Sequence, residues 1–336
     1  MIEVSGEDKT HIQGLKFIDL FAGIGGFHLA LSSFDAKCLF ASEWDKAAQD
    51  VYENNFGLRP FGDITKIDTE FIPSHDILCG GFPCQAFSIS GKQKGFNDTR
   101  GTLFFDIARI IEFHKPKLVF LENVFNFEKH DNGNTLKTVM VTFEQLGYDL
   151  FYKVLNASNF NLPQNRERIY FVAFRKDLGV KSFSFPIPPQ SSIRLSDIIL
   201  PDRDTEAFCV KRNDVVFTKD PVVSQDIFGV HPNKPVRIGH VNKGGQGERI
   251  YHPNGHSIAL SAYGGGAGAK TGLYLIGGKI RKLAPRECAR VQGFPDYFII
   301  HENKNQAYKQ FGNSVAINVL QYILIEINKV LKYGQN

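Results

Sequence analysis

Short apolar runs alternate with amphipathic ones through the first half of the chain. "LKFIDLF" (15–21), "KCLFASEW" (37–44), "DILCG" (76–80) and "KLVFLEN" (117–123) read as buried strands, each bounded by turn or charge signals. Between them, "DKAAQDVYENNF" (45–56) and "TLFFDIARIIEF" (102–113) carry a helical period; in the second, Leu103, Ile107, Ile110 and Ile111 share one face. "KVLNA" (153–157) and "ERIYFVAF" (167–174) add two strands. Strand alternating with helix predicts an α/β fold with a doubly wound, mostly parallel sheet.

The pattern changes at "PIPPQSS" (186–192), a proline- and serine-rich exit from the first domain. From about 200 to 284 the chain is glycine-rich and basic with poor periodicity, which predicts short strands and loops in a second, smaller, β-rich domain. "APRECARVQGF" (284–294) is helical, opening on a proline. The final "SVAINVLQYILIEINKVLKYG" is an amphipathic helix apolar enough to pack back on the first domain. The expected domains are therefore 1–196 with 313–336, then 197–284, with 285–312 as a hinge segment.

Composition changes this picture little. At 43% hydrophobic and 22% charged residues, the 336-residue chain can bury a core of ordinary size. A net charge of +4 permits a nucleic-acid partner without arguing for one. The five cysteines form no CxxC pair and no zinc-ligand spacing, so no metal site is expected and the thiols read as free in a reducing compartment. Cys38, Cys79 and Cys288 read as buried apolar residues. The start lacks a secretory pattern and runs such as "YILIEI" are too short to span a bilayer, so a cytoplasmic protein without membrane contact is expected.

Candidate chemistry gathers at strand ends. "DLFAGIGG" (19–26) follows a strand and opens a helix; Gly23, Gly25 and Gly26 permit the tight turn a nucleotide-like ligand needs at a sheet's carboxyl edge. Glu43 ends the next strand, where a carboxylate can accept from ribose hydroxyls, and Trp44 offers a flat face to a purine. His28 occupies the third position of the dinucleotide fingerprint, which leaves adenosine binding without a pyrophosphate. Asp63 is a further polar contact for adenine. Taken alone, the glycine turn is as compatible with a purely structural role.

Cys84 sits just past the "DILCGG" strand, Glu122 ends the next one, and Arg166 and Arg168 are two apart at a strand start, hence on one face. Nucleophile, carboxyl group and paired arginines thus converge on one edge. Nearby positive charge lowers a thiol's pKa, and a carboxyl group in a dry pocket can stay protonated and donate.

"DLFAGIGG", "GGFPCQAFS", "ENV", "PQNRERIY", "RKLAPRECARVQGFP" and "QFGNSV" occur in the order found in the bacterial DNA cytosine-C5 methyltransferases, and the chain resembles that family over nearly its whole length. The resemblance implies that the Cys84 thiolate attacks C6 of a cytosine while Glu122 holds the ring at N3 and the amino group. Arg168 binds and helps activate the base, Arg166 supports the cysteine loop or backbone, and Asn123 and Val124 complete the wall beneath it. S-adenosylmethionine is the implied cofactor and S-adenosylhomocysteine the product. Phe21, Gly23, Gly25, Glu43, Trp44, Asp63, Ile64, Pro83, Leu103 and Asn313 would line its site.

Attack on a ring face hidden by stacking requires the base to leave the duplex, at a cost of about a few kcal/mol. The loop "SISGKQKGFNDTRG" (88–101) has the composition of a lid, with Ser88 and Ser90 for phosphate hydrogen bonds and Lys92, Lys94 and Arg100 for charge. Gln246, between glycines, resembles the side chain that fills the vacated space and pairs with the orphaned guanine. Arg249 and Tyr263 would contact base edges or backbone, and Lys243, Lys270, Arg281 and Lys282 would contact phosphates. The loops "NKGGQGERIY" and "LSAYGGG" resemble those of a member that modifies the inner cytosine of GCGC in a restriction-modification system. Ala259 stands where the family usually has threonine, and residues 202–236 look little like that member. A monomer acting on double-stranded DNA, paired functionally with an endonuclease, is expected. The other classes weighed are an RNA cytosine methyltransferase on the same plan, a DNA-gripping protein without turnover and a nicotinamide oxidoreductase.

Overall fold

A computed structural model describes residues 1–83, 103–190, 193–218 and 233–333. Its first elements in chain order are α1 (Gly6–Lys9), β1 (Lys16–Leu20), α2 (Gly26–Ser32), β2 (Lys37–Ser42), α3 (Lys46–Phe56), β3 (Ile77–Gly81), α4 (Leu103–His114), β4 (Leu118–Val124), α5 (Asn134–Gln145), β5 (Tyr148–Asn156), β6 (Gln164–Asn165) and β7 (Glu167–Arg175). There follow β8 (Val216–Phe217), β9 (Val236–His240), β10 (Arg249–His252), β11 (Ser257–Ile258), β12 (Leu273–Ile276), β13 (Lys279–Arg281), α6 (Pro285–Val291), α7 (Lys304–Asn313) and α8 (Ile317–Tyr333). The chain divides into two compact units.

One unit comprises Ile2–Leu155, Glu167–Pro186 and Leu320–Asn336. Among the described residues its sheet has six strands in the order β2-β1-β3-β4-β7-β5. β1 to β4 are mutually parallel and β7 runs antiparallel to β4. β1, β3 and β4 are covered on both faces, hence their unbroken apolar character. Gly80 is required at its place: a Cβ there would stand 2.3 Å from the Leu20 carbonyl oxygen of the adjoining strand. The α4 face buries Phe104, Ile107, Ile110 and Ile111 against Val119, Leu121 and Phe171. α3 starts because Asp45 caps it, accepting from the Ala47 and Ala48 amides, and ends at Gly57 in the left-handed region (φ 66°). In the last helix, Gln321 donates to Ser33 Oγ (2.9 Å) and the Ile2 carbonyl (3.1 Å).

α5 has no counterpart in the sequence reading. Its β-branched stretch "TVMVT" is a poor helix former, yet Leu136, Val139 and Phe143 recur on one face and are buried in the core, so packing overrides propensity. One described stretch, Lys304–Lys332, is long and apolar enough to cross a membrane by length and composition alone, but it is interrupted between α7 and α8 and most of its apolar window is buried in the protein.

The other unit comprises Met1, Asn156–Arg166 and Ile187–Val319. Its larger sheet runs β13-β12-β10-β9-β8 around Ile238, Val241, Ile250 and Leu273; β6 and β11 form a separate parallel pair. Arg281 is not a phosphate contact. It is 1% exposed on β13 and grips Glu287 of α6 with both guanidinium nitrogens, at 2.8 and 2.7 Å. Glu287 also accepts from the Ala284 and Leu200 amides, so the pair ties the strand, the helix start and the distant Leu200 segment together.

Candidate active site

The glycine turn lies at the carboxyl end of β1. Phe21 adopts φ 54°, costly for a residue with a Cβ and a mark of a constrained site. Gly23 and Gly25 follow at φ 55° and 87°; a Cβ on Gly25 would sit 2.2 Å from the Phe56 ring, so this turn admits only glycine there. Glu43, 8% exposed past β2, holds the turn: one carboxylate oxygen accepts from the Gly23 amide and the other from the Asp45 amide, each at 2.8 Å. Burial pushes the Glu43 carboxyl above its ordinary range, against those hydrogen bonds. Trp44 beside it is 79% exposed.

A buried carboxylate next to a bare indole and a glycine cradle at the switch edge of a parallel sheet fit an adenosine with its ribose hydroxyls. Asp63 caps the 3₁₀ turn Ile64–Lys66 by accepting from the Thr65 amide, and Ile64 is a core residue whose carbonyl accepts from Arg109. Leu103 opens α4, half-buried, and Pro83 is exposed beyond β3. Asn313 ends α7 in the other unit, exposed. His28, which breaks the dinucleotide fingerprint, is structural. It stacks on Phe56 (3.9 Å) and meets the Tyr52 hydroxyl through Nδ1 (2.7 Å), and burial lowers its pKa to about 4. Cys79 and Cys288 are buried as expected, whereas Cys38 is half-buried.

Glu122 and Arg168 meet at the next strand ends. Arg168 Nε lies 3.1 Å from Glu122 Oε1, with both side chains largely shielded from water. Register produces the meeting: Val124 of β4 stands opposite Arg168 of β7, and Gly81 of β3 opposite Glu122. Asn123 donates to the Phe82 carbonyl (2.9 Å) and accepts from the Val124 amide (2.8 Å), tying β4 to the segment that leads out of β3. That segment continues into Cys84, Ser88, Ser90, Lys92, Lys94 and Arg100, which lie outside the described residues.

Arg166 does not share a strand face with Arg168. β7 begins at Glu167; the Arg166 amide donates to Asn156 Oδ1 (3.0 Å) in place of a backbone carbonyl, while the Arg166 carbonyl accepts from the Ala157 amide (2.9 Å). The Arg166 side chain is 2% exposed and donates to the carbonyls of Leu260 (3.3 Å), Gly312 (3.2 Å) and Ser314 (2.5 Å), all within its own unit.

Three expected DNA contacts lie in the unit with the five-stranded sheet. Gln246 opens an exposed 3₁₀ turn between two glycines, and a Cβ on Gly247 would stand 1.9 Å from the Gly265 oxygen. Arg249 starts β10 opposite His240, and Tyr263 is 81% exposed. Arg237, which the sequence reading passed over, borders the same loop. Its Nη2 lies 3.1 Å from where a Gly244 Cβ would be; the alternation of "VRIGH" on β9 was the available signal.

Residues 15–329 match the family model of C-5 cytosine-specific DNA methylases. The chain is 57% identical over 333 residues to the type II methyltransferase M.HhaI of Haemophilus parahaemolyticus, covering 99% of each chain. It is 47% identical to M.HpaII of Haemophilus parainfluenzae, covering 91% of this chain and 87% of that one. The S. pombe Dnmt2 methyltransferase structure, at 19% identity and a TM-score of 0.68, covers 96% of this chain and 100% of its own, and shares the fold. The protein belongs to the C-5 cytosine-specific DNA methylases, enzymes whose methyl donor is S-adenosylmethionine.

Proposed function

We propose that the enzyme methylates the inner cytosine of GCGC in double-stranded DNA, as the modification half of a restriction-modification pair. The observation that carries the chemistry is the Glu122–Arg168 pair, held in register beside the end of β3 in the unit that also contains the Gly23–Glu43 turn. Support for GCGC comes from "NKGGQGERIY" and "LSAYGGG", which resemble the loops of a GCGC-modifying member; Ala259 and residues 202–236 are where another site preference would arise.

In this reading Glu122 holds the flipped ring at N3 and the amino group, with Arg168 orienting the carboxylate and binding the base. Cys84 Sγ bonds to C6, and electrons displaced through the ring make C5 nucleophilic. S-adenosylmethionine supplies an electrophilic methyl group on sulfur, and S-adenosylhomocysteine remains. The C5 proton then passes to water, its electron pair re-forms the C5–C6 double bond and expels the Cys84 thiolate, and 5-methylcytosine is released. Glu43, Trp44 and the glycine turn hold the cofactor, with Phe21, Asp63, Ile64, Pro83 and Leu103 around it. Residues 197–284 form the target-recognition domain, 285–312 the hinge, and the enzyme works as a cytoplasmic monomer without metal. Gln246 fills the helix at the vacated position, and Lys243, Lys270 and Lys282 contact phosphates.

A GCGC duplex with 5-fluorocytosine at the inner position tests this chemistry, because fluorine cannot leave C5 as a proton does. A covalent protein–DNA band that survives denaturing electrophoresis and requires S-adenosylmethionine and Cys84 is expected. Turnover without any such adduct would overturn the mechanism.

A further inference from the structure

Gln164 is fully buried in β6, and both ends of its amide are used. Its oxygen accepts from the Leu260 amide (3.1 Å); its nitrogen donates to the Val291 carbonyl (3.0 Å) and to Gln292 Oε1 (3.2 Å). Arg166, two residues on, donates to the Leu260 carbonyl. One short stretch therefore grips Leu260 at both its N–H and its C=O. Gln292, also fully buried, extends the hub by donating to the Phe311 carbonyl (2.8 Å).

Leu260 is the base of the loop that carries Tyr263. Directly after it, the backbone packs on Gly312: a Cβ there would lie 2.3 Å from the Ala262 nitrogen and 2.5 Å from the Ser261 carbonyl carbon. Beyond Tyr263 the loop meets the Gln246 loop, where Gly247 abuts Gly265 and the Gly268 amide donates to the Gly247 carbonyl (2.7 Å). A contiguous path of buried polar contacts and glycine close approaches thus runs from Gln164 and Arg166 to Gln246, wholly inside one compact unit.

We infer that Gln164 and Arg166 are positioning residues for DNA recognition, which by clamping Leu260 set the height of the Tyr263 loop and through it of Gln246. This rests on the proposed DNA-contacting role of Gln246 and Tyr263. The physical reason for a double grip is precision. A loop of consecutive glycines has little rotational restraint of its own, so its placement depends on where its base is fixed. A loop free to shift would still attract phosphates through its charges but would read base edges less sharply.

Gln164→Met keeps length and volume while removing both halves of the amide contact, and Gly312→Ala displaces the loop base from the opposite side. The measurement is kcat/KM for methylation of a duplex with the enzyme's own site against duplexes with one base of that site changed. Gln246→Ala is run in parallel. Both positioning variants are expected to lose about tenfold in discrimination, chiefly through KM for DNA. In Gln164→Met the S-adenosylmethionine Kd and the rate at saturating own-site DNA should stay within about twofold of wild type. Unchanged discrimination in a folded variant, with only kcat or melting temperature reduced, would overturn the inference; should Gln164→Met not fold, Gly312→Ala decides. Unchanged discrimination in Gln246→Ala would instead refute the underlying reading of the loop. A loss in Gln246→Ala without one in the positioning variants refutes the clamp alone.

Discussion

Replacing Glu43 by glutamine is an isosteric change, yet the structure gives it a definite cost. The two carboxylate oxygens accept from different backbone amides, Gly23 and Asp45, at 2.8 Å each. A carboxamide has one oxygen, so one of the two N–H groups must face an NH2. Leaving a buried donor unmet costs about 1–3 kcal/mol. In the proposed complex the same group accepts from ribose hydroxyls, and exchanging a charged for a neutral acceptor there removes about 1 kcal/mol more. Glu43→Gln is thus expected to lower the melting temperature through the unmet amide and, through the ribose contact, to weaken S-adenosylmethionine binding by about fivefold in titration calorimetry.

The carboxyl's raised pKa adds a pH signature. As pH falls, the carboxylate of the free protein takes up its proton from above the ordinary glutamate range downward and the acceptor is lost, so wild-type affinity should drop on acidification, while that of the glutamine variant stays flat over the same window. A variant that melts lower but binds the cofactor within about twofold of wild type would refute the reasoning. It would leave Glu43 as a brace for the turn and nothing more.

Three other outcomes are expected. Asn123→Leu orphans the Phe82 carbonyl, a loss of about 1–3 kcal/mol at the segment leading to Cys84; single-turnover methylation should slow at least about tenfold with cofactor affinity unchanged. Glu287→Ala strands a buried guanidinium and should cost about 3–5 kcal/mol, read as a lower urea midpoint. His28 and His75 are both held neutral by burial, their pKa lowered from 6.5 to about 4, so their contribution to stability is complete above 6.5 and lost as pH falls toward 4. Each amounts to about 3 kcal/mol across that window, partly offset by the buried Asp19 and Glu43 carboxyls, which titrate in the opposite sense. His75→Asn, which can still donate to the Pro73 carbonyl, should flatten the acid limb of urea-midpoint against pH; an unaltered limb would contradict the assignment.

The central strands were legible because burial on both faces leaves an uninterrupted apolar run, as in β1, β3 and β4. β5 begins at Tyr148, earlier than read, because its half-exposed face mixes Asp149 and Lys153 with apolar residues. Side-chain direction was less legible. Arg281 looks like a surface cation until the β12–β13 pairing turns it toward Glu287. Likewise, the two-residue spacing of Arg166 and Arg168 implies a shared face only if both lie in one strand, and β7 begins at Glu167, with the Arg166 amide donating to the Asn156 side chain. The Glu122–Arg168 and Gly23–Glu43 groupings were readable because the apolar runs mark where the strands end, and these residues sit at or just past those ends. The Gln164 hub was not: no local pattern marks a glutamine whose partners lie roughly a hundred residues away.

The most direct test of site-specific cytosine methylation is bisulfite sequencing of unmethylated plasmid after incubation with the protein and S-adenosylmethionine, beside a Cys84→Ser control. Protected cytosines confined to the inner position of GCGC and absent from the control are expected. Protection at another motif would move the specificity to residues 202–236 or Ala259. No protection from folded, cofactor-binding protein would contradict the account.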